Sequence, residues 1–256
     1  NQTDSTCEKW RIIGVFNNSV KLIRNDSIGL YSWDNKNTST GAESVYGKND
    51  WTDARLMKLL NPGYESETTG GSLYYKAKSG NCYSGQNNAT KACDFTSTGI
   101  KNDKTRGLIS EETYSLLGWN TSIVYANEIY EYERSTGKVY SGRPTEWTGK
   151  IALAYPSDYG YAVDLSKCGQ NLYNYDNNTC TSNNWMKNIV ANNGWLLTPN
   201  SGGASSVWHV SSSGEVIGQG GNAYGAHKVT PVLSLISELD IGSGLGTSSS
   251  PYQLSV

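Results

Sequence analysis

The sequence predicts an α+β fold, with strands bounding the chain at both ends and helices between them. Two observations carry the fold class. Runs of β-branched and aromatic residues bound the chain near both ends, as WRIIGVF at Trp10–Phe16 and VTPVLSLI at 229–236. Between them, apolar residues recur at helical spacing, most clearly Leu56, Leu59 and Leu60. A period near two marks a half-buried strand, and recurrence at three and four marks a helix face.

The first hairpin comes from WRIIGVF, Asn17-Asn18 and SVKLIR, in which Val20 and Leu22 alternate with polar residues. Two asparagines between two such runs suit a two-residue turn. Residues 25–49 read as loop, with a possible short strand at Tyr31-Ser32-Trp33. Asn49 or Asp50 can cap a helix over 51–60, and Asn61-Pro62-Gly63 stops it. Residues 63–106 form a long irregular insertion. Ser110-Glu111-Glu112 looks like a helix start running to Leu117, with its acidic pair at the positive end of the helix dipole. Thr121 or Ser122 can cap a further helix through Glu133, with Ile123, Ala126, Ile129 and Tyr130 on one face.

The densest pattern lies in 194–236, GWLLTPNSGGASSVWHVSSSGEVIGQGGNAYGAHKVTPVLSLI. Trp195 to Pro199, Val207–Val210, Glu215-Val216-Ile217 and 229–236 read as strands between Gly/Ser/Asn loops. After Ile236, a Gly/Thr/Ser run and Pro251-Tyr252-Gln253-Leu254 read as a linker tail with one short strand. The predicted organisation is therefore a domain over 1–239 and a tail over 240–256.

The order Gly-Trp-Leu-Leu-Thr-Pro, Val-Trp-His-Val, Gly-Glu-Val, Val-Thr-Pro-Val-Leu resembles the C-terminal half of bacterial C-type-lectin-like domains. That branch includes the formylglycine-generating-enzyme-type fold and the variable proteins diversified by retroelements. Trp10 to Val15 adds weaker support. The family pattern has Ser-Pro after its Trp-Leu run and Val-Arg-Pro in its last strand, where this chain has Thr198-Pro199 and Val229-Thr230-Pro231. The resemblance implies a C-type-lectin-like topology, a small twisted antiparallel sheet with two or three flanking helices and long loops, in which the N- and C-terminal strands pair. It also implies a display surface built from residues of the type that retroelements vary: Ser205, Ser206, His209, Ser211, Ser212, Asn222, Tyr224 and His227. Trp208, Glu215 and Lys228 would be scaffold, with Trp208 and Tyr224 contributing rings to the contact patch.

Composition points the same way. The chain of 256 residues carries 18 Tyr and 8 Trp but 2 Phe, and its net charge is −2. Tyr and Trp supply rigid amphipathic contact area, while Ser, Gly and Asn supply adaptable hydrogen bonding. Near-neutral charge gives no field for nucleic acid or an anionic membrane, and no apolar run is long enough to insert in a bilayer.

Cysteines stand at 7, 82, 93, 168 and 180. Cys82/Cys93 and Cys168/Cys180 each bracket a polar loop without histidine, which suits two local disulfides in an oxidising compartment. Each would stabilise the fold by about 2–3 kcal/mol in the chain-entropy model. Zinc sites favour close pairs such as C-x2-C, which are absent. Cys7 is left over.

Candidate chemistry is sparse. His209 and His227 are the two histidines. Alternation puts His209 on the opposite face from Trp208 and Val210, facing solvent. No G-x-S-x-G elbow occurs. Glu128, Glu131 and Glu133 could supply a glycosidase carboxylate pair or a solvated helix face. Asp158, or Asp176 with Asn177-Asn178, could ligate calcium or close Asx turns. No cysteine follows Cys180, so the copper-binding cysteines of formylglycine-generating enzymes have no counterpart, and neither Glu-Pro-Asn nor Gln-Pro-Asp occurs. The expectation is an extracellular, non-enzymatic ligand-binding or adhesin domain without cofactor or metal. Its partner would be a cell-surface protein or glycan, and the domain would sit in a longer surface-anchored chain. The alternatives are a structural module of a surface stalk and an enzyme relative of the formylglycine-generating type.

Overall fold

Asn17 and Asn18 hold φ of 49° and 65°, the left-handed pair that a two-residue hairpin turn demands. They join β1 (Trp10–Phe16) to β2 (Ser19–Arg24) in an antiparallel ladder with one bulge between Ile12 and Gly14. The computed structural model describes residues 8–35, 46–63, 70–85, 88–121, 124–175, 178–218, 221–247 and 249–255. Cys7, Ser122, Ile123, Asp176 and Asn177 lie outside the described residues.

The chain continues through β3 (Gly29–Tyr31) to α1 (Arg55–Leu60). This helix starts later than the predicted 51–60, because Asp50 Oδ1 accepts from Thr52 N at 3.0 Å and holds residues 51–53 as a turn. The long insertion contains a hairpin of β4 (Ser79–Cys82) and β5 (Lys91–Asp94), then α2 (Asp103–Gly107). The predicted helix over 110–117 is instead β6 (Glu112–Ser115), which pairs with β7 (Glu146–Gly149). Tyr114 lies opposite Trp147, with ring centroids 5.6 Å apart. That buried cross-strand aromatic pair outweighs the helix-start signal of Glu111-Glu112.

The predicted helix to Glu133 forms as α3 (Ala126–Glu131), followed by a π-helical turn at Tyr132–Thr136. After β8 (Ile151–Ala152) come α4 (Pro156–Gly160), a 3₁₀ turn at Leu172–Asn174, α5 (Asn178–Asn183) and α6 (Lys187–Val190). The closing stretch gives β9 (Gly194–Pro199), β10 (Val207–Val210), β11 (Val216–Ile217), β12 (His227–Val229) and β13 (Val232–Leu235). In the tail, β14 (Asp240–Ser243) and β15 (Gln253–Ser255) pair with each other, so the tail holds two strands where one was expected.

Two sheets organise the described residues, in the orders β1-β2-β13-β8 and β11-β10-β9-β12-β3. The run 229–236, predicted as one strand, is split between them at Thr230-Pro231. Proline has no N–H for a ladder; its carbonyl accepts from Arg24 N at 3.0 Å, and Thr230 Oγ1 donates to Ile189 O at 3.2 Å. The partner ribbon makes the same crossing, since β2 pairs with β13 and β3 with β12. The expected direct pairing of the terminal strands is corrected here. WRIIGVF and the closing strand share a sheet, but β2 lies between them, because the tight Asn17-Asn18 turn folds β2 back onto β1 first.

Tryptophans tie the sheets to the helices. Trp33 and Trp51 are fully buried with centroids 5.1 Å apart. Trp33 Nε1 donates to Leu196 O at 3.2 Å, and Trp195 Nε1 donates to Tyr31 O at 2.9 Å. A second cluster packs around Trp208, Tyr159 and Tyr175. Disulfides Cys82–Cys93 and Cys168–Cys180 both form, with Cα–Cα distances of 6.0 and 4.9 Å. Two disulfides fit an extracellular protein, and among the described residues no helix is long and apolar enough to cross a membrane.

Candidate functional site

At the Val207 end of β10, three loops meet: 46–50, 200–206 and 221–226. Asn49 ties two of them together and is 1% exposed. Its Nδ2 reaches the carbonyls of Asn200, Gly203 and Ser206 at 3.0, 2.7 and 3.0 Å. Its Oδ1 accepts from Arg143 Nε at 3.1 Å, and Arg143 Nη2 donates to Ala204 O at 3.0 Å. The third loop is laced in by backbone bonds, Ala223 N to Ser205 O at 2.8 Å and Tyr224 N to Tyr46 O at 3.2 Å. Ser32 Oγ donates to Tyr224 O at 2.7 Å.

Asp34 secures the floor of this cluster. Its Oδ2 accepts from Lys48 N at 2.8 Å. Burial pushes its carboxyl up to about 6, against the lowering effect of that backbone bond and of Arg55. Gly47, at φ 84°, is required where it stands. A Cβ there would sit 3.1 Å from Ala223 Cβ, Asn35 O and Tyr224 N.

On this rigid base the rings of Tyr46 and Tyr224 lie 6.2 Å apart, with Tyr46 49% exposed and Tyr224 half-buried. Ser205, Ser206 and Asn222 are also half-buried, and Ser206 and Asn222 are bridged across the loops. The result is a nearly uncharged rim of tyrosine rings, hydroxyls and amides.

The nine residues singled out from the sequence do not form one patch. Ser205, Ser206, Asn222 and Tyr224 come together on the rim. Ser211 and Ser212 lie beyond the opposite end of β10. Ser211 is buried and its Oγ accepts from Glu215 N at 3.1 Å, closing the β10–β11 turn, whereas Ser212 is exposed. Trp208 is 3% exposed and stacks on Trp119 at 4.3 Å.

His209 is not at the surface; it is 7% exposed. Alternation does set it opposite Trp208 and Val210, but β10 is an inner strand between β9 and β11 and both its faces are covered. His227 is half-buried, stacks on Trp195 at 4.0 Å and meets His209 at 4.9 Å between centroids. Burial holds both imidazoles down at about 4, and each is neutral at pH 7.

Glu128, Asp158 and Glu133 have local structural partners, while Glu131 is exposed. Glu128 Oε2 accepts from Tyr125 N at 2.8 Å and caps α3. Asp158 caps α4 through Tyr155 N at 2.8 Å and pairs with Lys21. Glu133 is buried beside Ser157, far from a solvated helix face. Among the described residues, no group of three or more His, Cys, Asp or Glu side chains could hold a metal ion.

Tyr46, Asn49 and Arg143 were not foreseen as site residues. Tyr46 and Asn49 fall in a stretch without strand or helix period, and nothing in local sequence links Asn49 to Arg143. Compared with protein-family models, curated proteins and solved structures, the chain matches none.

Proposed function

We propose that this chain is an extracellular, non-enzymatic ligand-binding domain that grips a cell-surface protein or glycan with the rim formed by Tyr46, Ser205, Ser206, Asn222 and Tyr224. The observation that carries the reading is the contrast between floor and rim. Asn49, Arg143 and Asp34 are committed to holding the loops, while two tyrosine rings and three short polar side chains remain half-buried or exposed above them. Preorganised aromatic rings surrounded by small polar groups bind at low entropic cost. The near absence of charge favours a neutral ligand surface over a phosphate-rich one.

The finer fold reading, a C-type-lectin-like scaffold, is supported by the first hairpin lying in one sheet with the closing strand and by residues 194–236 supplying most of the second sheet. If the rim is varied by a retroelement, change should concentrate at Ser205, Ser206, Asn222 and Tyr224 and spare the buried Trp208, His209 and Ser211.

The test is a glycan and surface-protein array probed with the chain and with Tyr46→Ser and Tyr224→Ser. The expected result is a ligand signal that both variants lose while their melting temperatures stay close to the parent's. A signal that survives both substitutions would move the binding surface elsewhere.

A further inference from the structure

Lys21 and Asp158 lie 137 positions apart, yet Lys21 Nζ stands 2.5 Å from Asp158 Oδ2. The side chains are 7% and 2% exposed. The contact is shorter than an ordinary N–H···O hydrogen bond. Lys21 projects from the middle of β2, opposite Ser234 on β13, and Asp158 sits in the first turn of α4. Aromatic rings enclose the amine, with Tyr155 at 4.6 Å and Phe16 at 5.4 Å from Nζ to centroid. Asp158 Oδ2 also accepts from Tyr155 N at 2.8 Å.

A second acid stands behind this pair. Glu133 is completely buried in the π-helical turn, and Ser157 N donates to its Oε1 at 3.1 Å. Ser157 Oγ bonds to Glu133 Oε2, so Glu133 fixes the residue next to Asp158. Burial pushes its carboxyl up to about 8, with the neighbouring Asp158 adding to the rise. Lys21 and the two acids thus share one buried site, Arg134 meets Glu133 Oε2 at 3.2 Å from its partly exposed edge, and none of them contributes to the loop rim.

A buried ion pair pays a desolvation cost that its attraction barely recovers. Condensation removes both charges at once. The geometry points to an intramolecular isopeptide bond between Lys21 Nζ and Asp158 Cγ, formed by the chain without an enzyme.

The reaction balances with the groups present. The ammonium and carboxylate together hold all the atoms of one amide and one water. One proton first passes from the ammonium to Oδ1, which frees the nitrogen lone pair, and Nζ then attacks Cγ, forming the C–N bond. The Tyr155 N–H holds Oδ2, which bears the negative charge of the tetrahedral intermediate and becomes the amide oxygen. A second proton passes from the nitrogen to the Oδ1 hydroxyl, the C–Oδ1 bond breaks, and water leaves. No oxidant or co-reactant is required. A nitrogen 2.5 Å from Oδ2 can be at most one C–O bond further from Cγ, close to the roughly 3–3.5 Å from which attack proceeds. Glu133 and Ser157 act as positioning residues, keeping the first turn of α4 in place.

The test is the mass of the full chain after reduction of its disulfides. The expected mass is one water below that of the sequence. A tryptic digest should then show no cleavage after Lys21 and a branched peptide joining the Lys21 segment to the Asp158 segment. Lys21→Arg keeps the positive charge but should restore the full mass. Glu133→Gln should slow appearance of the lighter species after refolding while leaving the final product the same. A reduced wild-type chain at its full sequence mass, cleaved normally after Lys21, overturns the proposal, and that measurement does not depend on any variant folding.

Discussion

Asn49 and Arg143, separated by 94 positions, meet at 3.1 Å through Oδ1 and Nε, and both are buried under the tyrosine rim. The amide of Asn49 faces three carbonyls on its other side. Asn49→Leu should therefore strand those carbonyls and the guanidinium, costing about 2–3 kcal/mol. Hydrogen exchange should accelerate at amides 204–207 before it does in β1 and β2. Unchanged exchange there would mean that the loops hold themselves.

Trp208 and Tyr224 should behave oppositely. Trp208→Ala opens the stack on Trp119 and should cost roughly 3–5 kcal/mol. Tyr224→Ala removes a half-buried ring and should cost less than about 1 kcal/mol. Chemical denaturation of the two variants decides whether the rim and the core are separable.

The two histidines predict loss of stability in acid. Folding holds His209 at about 4 against an ordinary 6.5, chiefly through burial. The unfolded chain takes up the proton first, so this contribution is complete above pH 6.5 and is lost as pH falls towards about 4. For His209 the full difference is about 3 kcal/mol. His227 acts in the same direction. Urea midpoints between pH 4 and 7 should fall with pH in the parent and fall less in His209→Gln.

Glu133 works in the opposite direction. Its folded carboxyl is raised from 4.5 to about 8, first by burial. Its contribution is fully present below pH 4.5 and declines as pH rises through about 8, because the unfolded chain releases the proton earlier. Glu133→Gln should remove a decline that runs between about pH 4.5 and 8, so urea midpoints over that range should rise more steeply with pH than in the parent, the histidine contribution then being unopposed.

Features fixed by neighbours in sequence were the legible ones. Asn17-Asn18 specified a hairpin turn, and each cysteine pair closed its own short loop. The stretches that hold Ser205, Ser206, Asn222 and Tyr224 were legible as loops because they are polar and glycine-rich. Features fixed by distant partners were not legible. Glu111-Glu112 looked like a helix start until Trp147 supplied a cross-strand ring for Tyr114. Alternation correctly separated His209 from Trp208, but it carries no information about whether the second face is also covered. Here Trp195 and His227 cover it. Asn49 sits in a stretch without period, and its importance depends on carbonyls more than 150 positions away.

The kink at Thr230-Pro231 makes one segment serve both sheets, with Val229 held against Gly29 on one side and Val232 against Ile23 on the other. The spacing between those two anchor points is therefore locked. Adding or deleting a single residue there would turn an entire row of side chains inside out in one sheet or the other. This joint therefore tolerates no change in length.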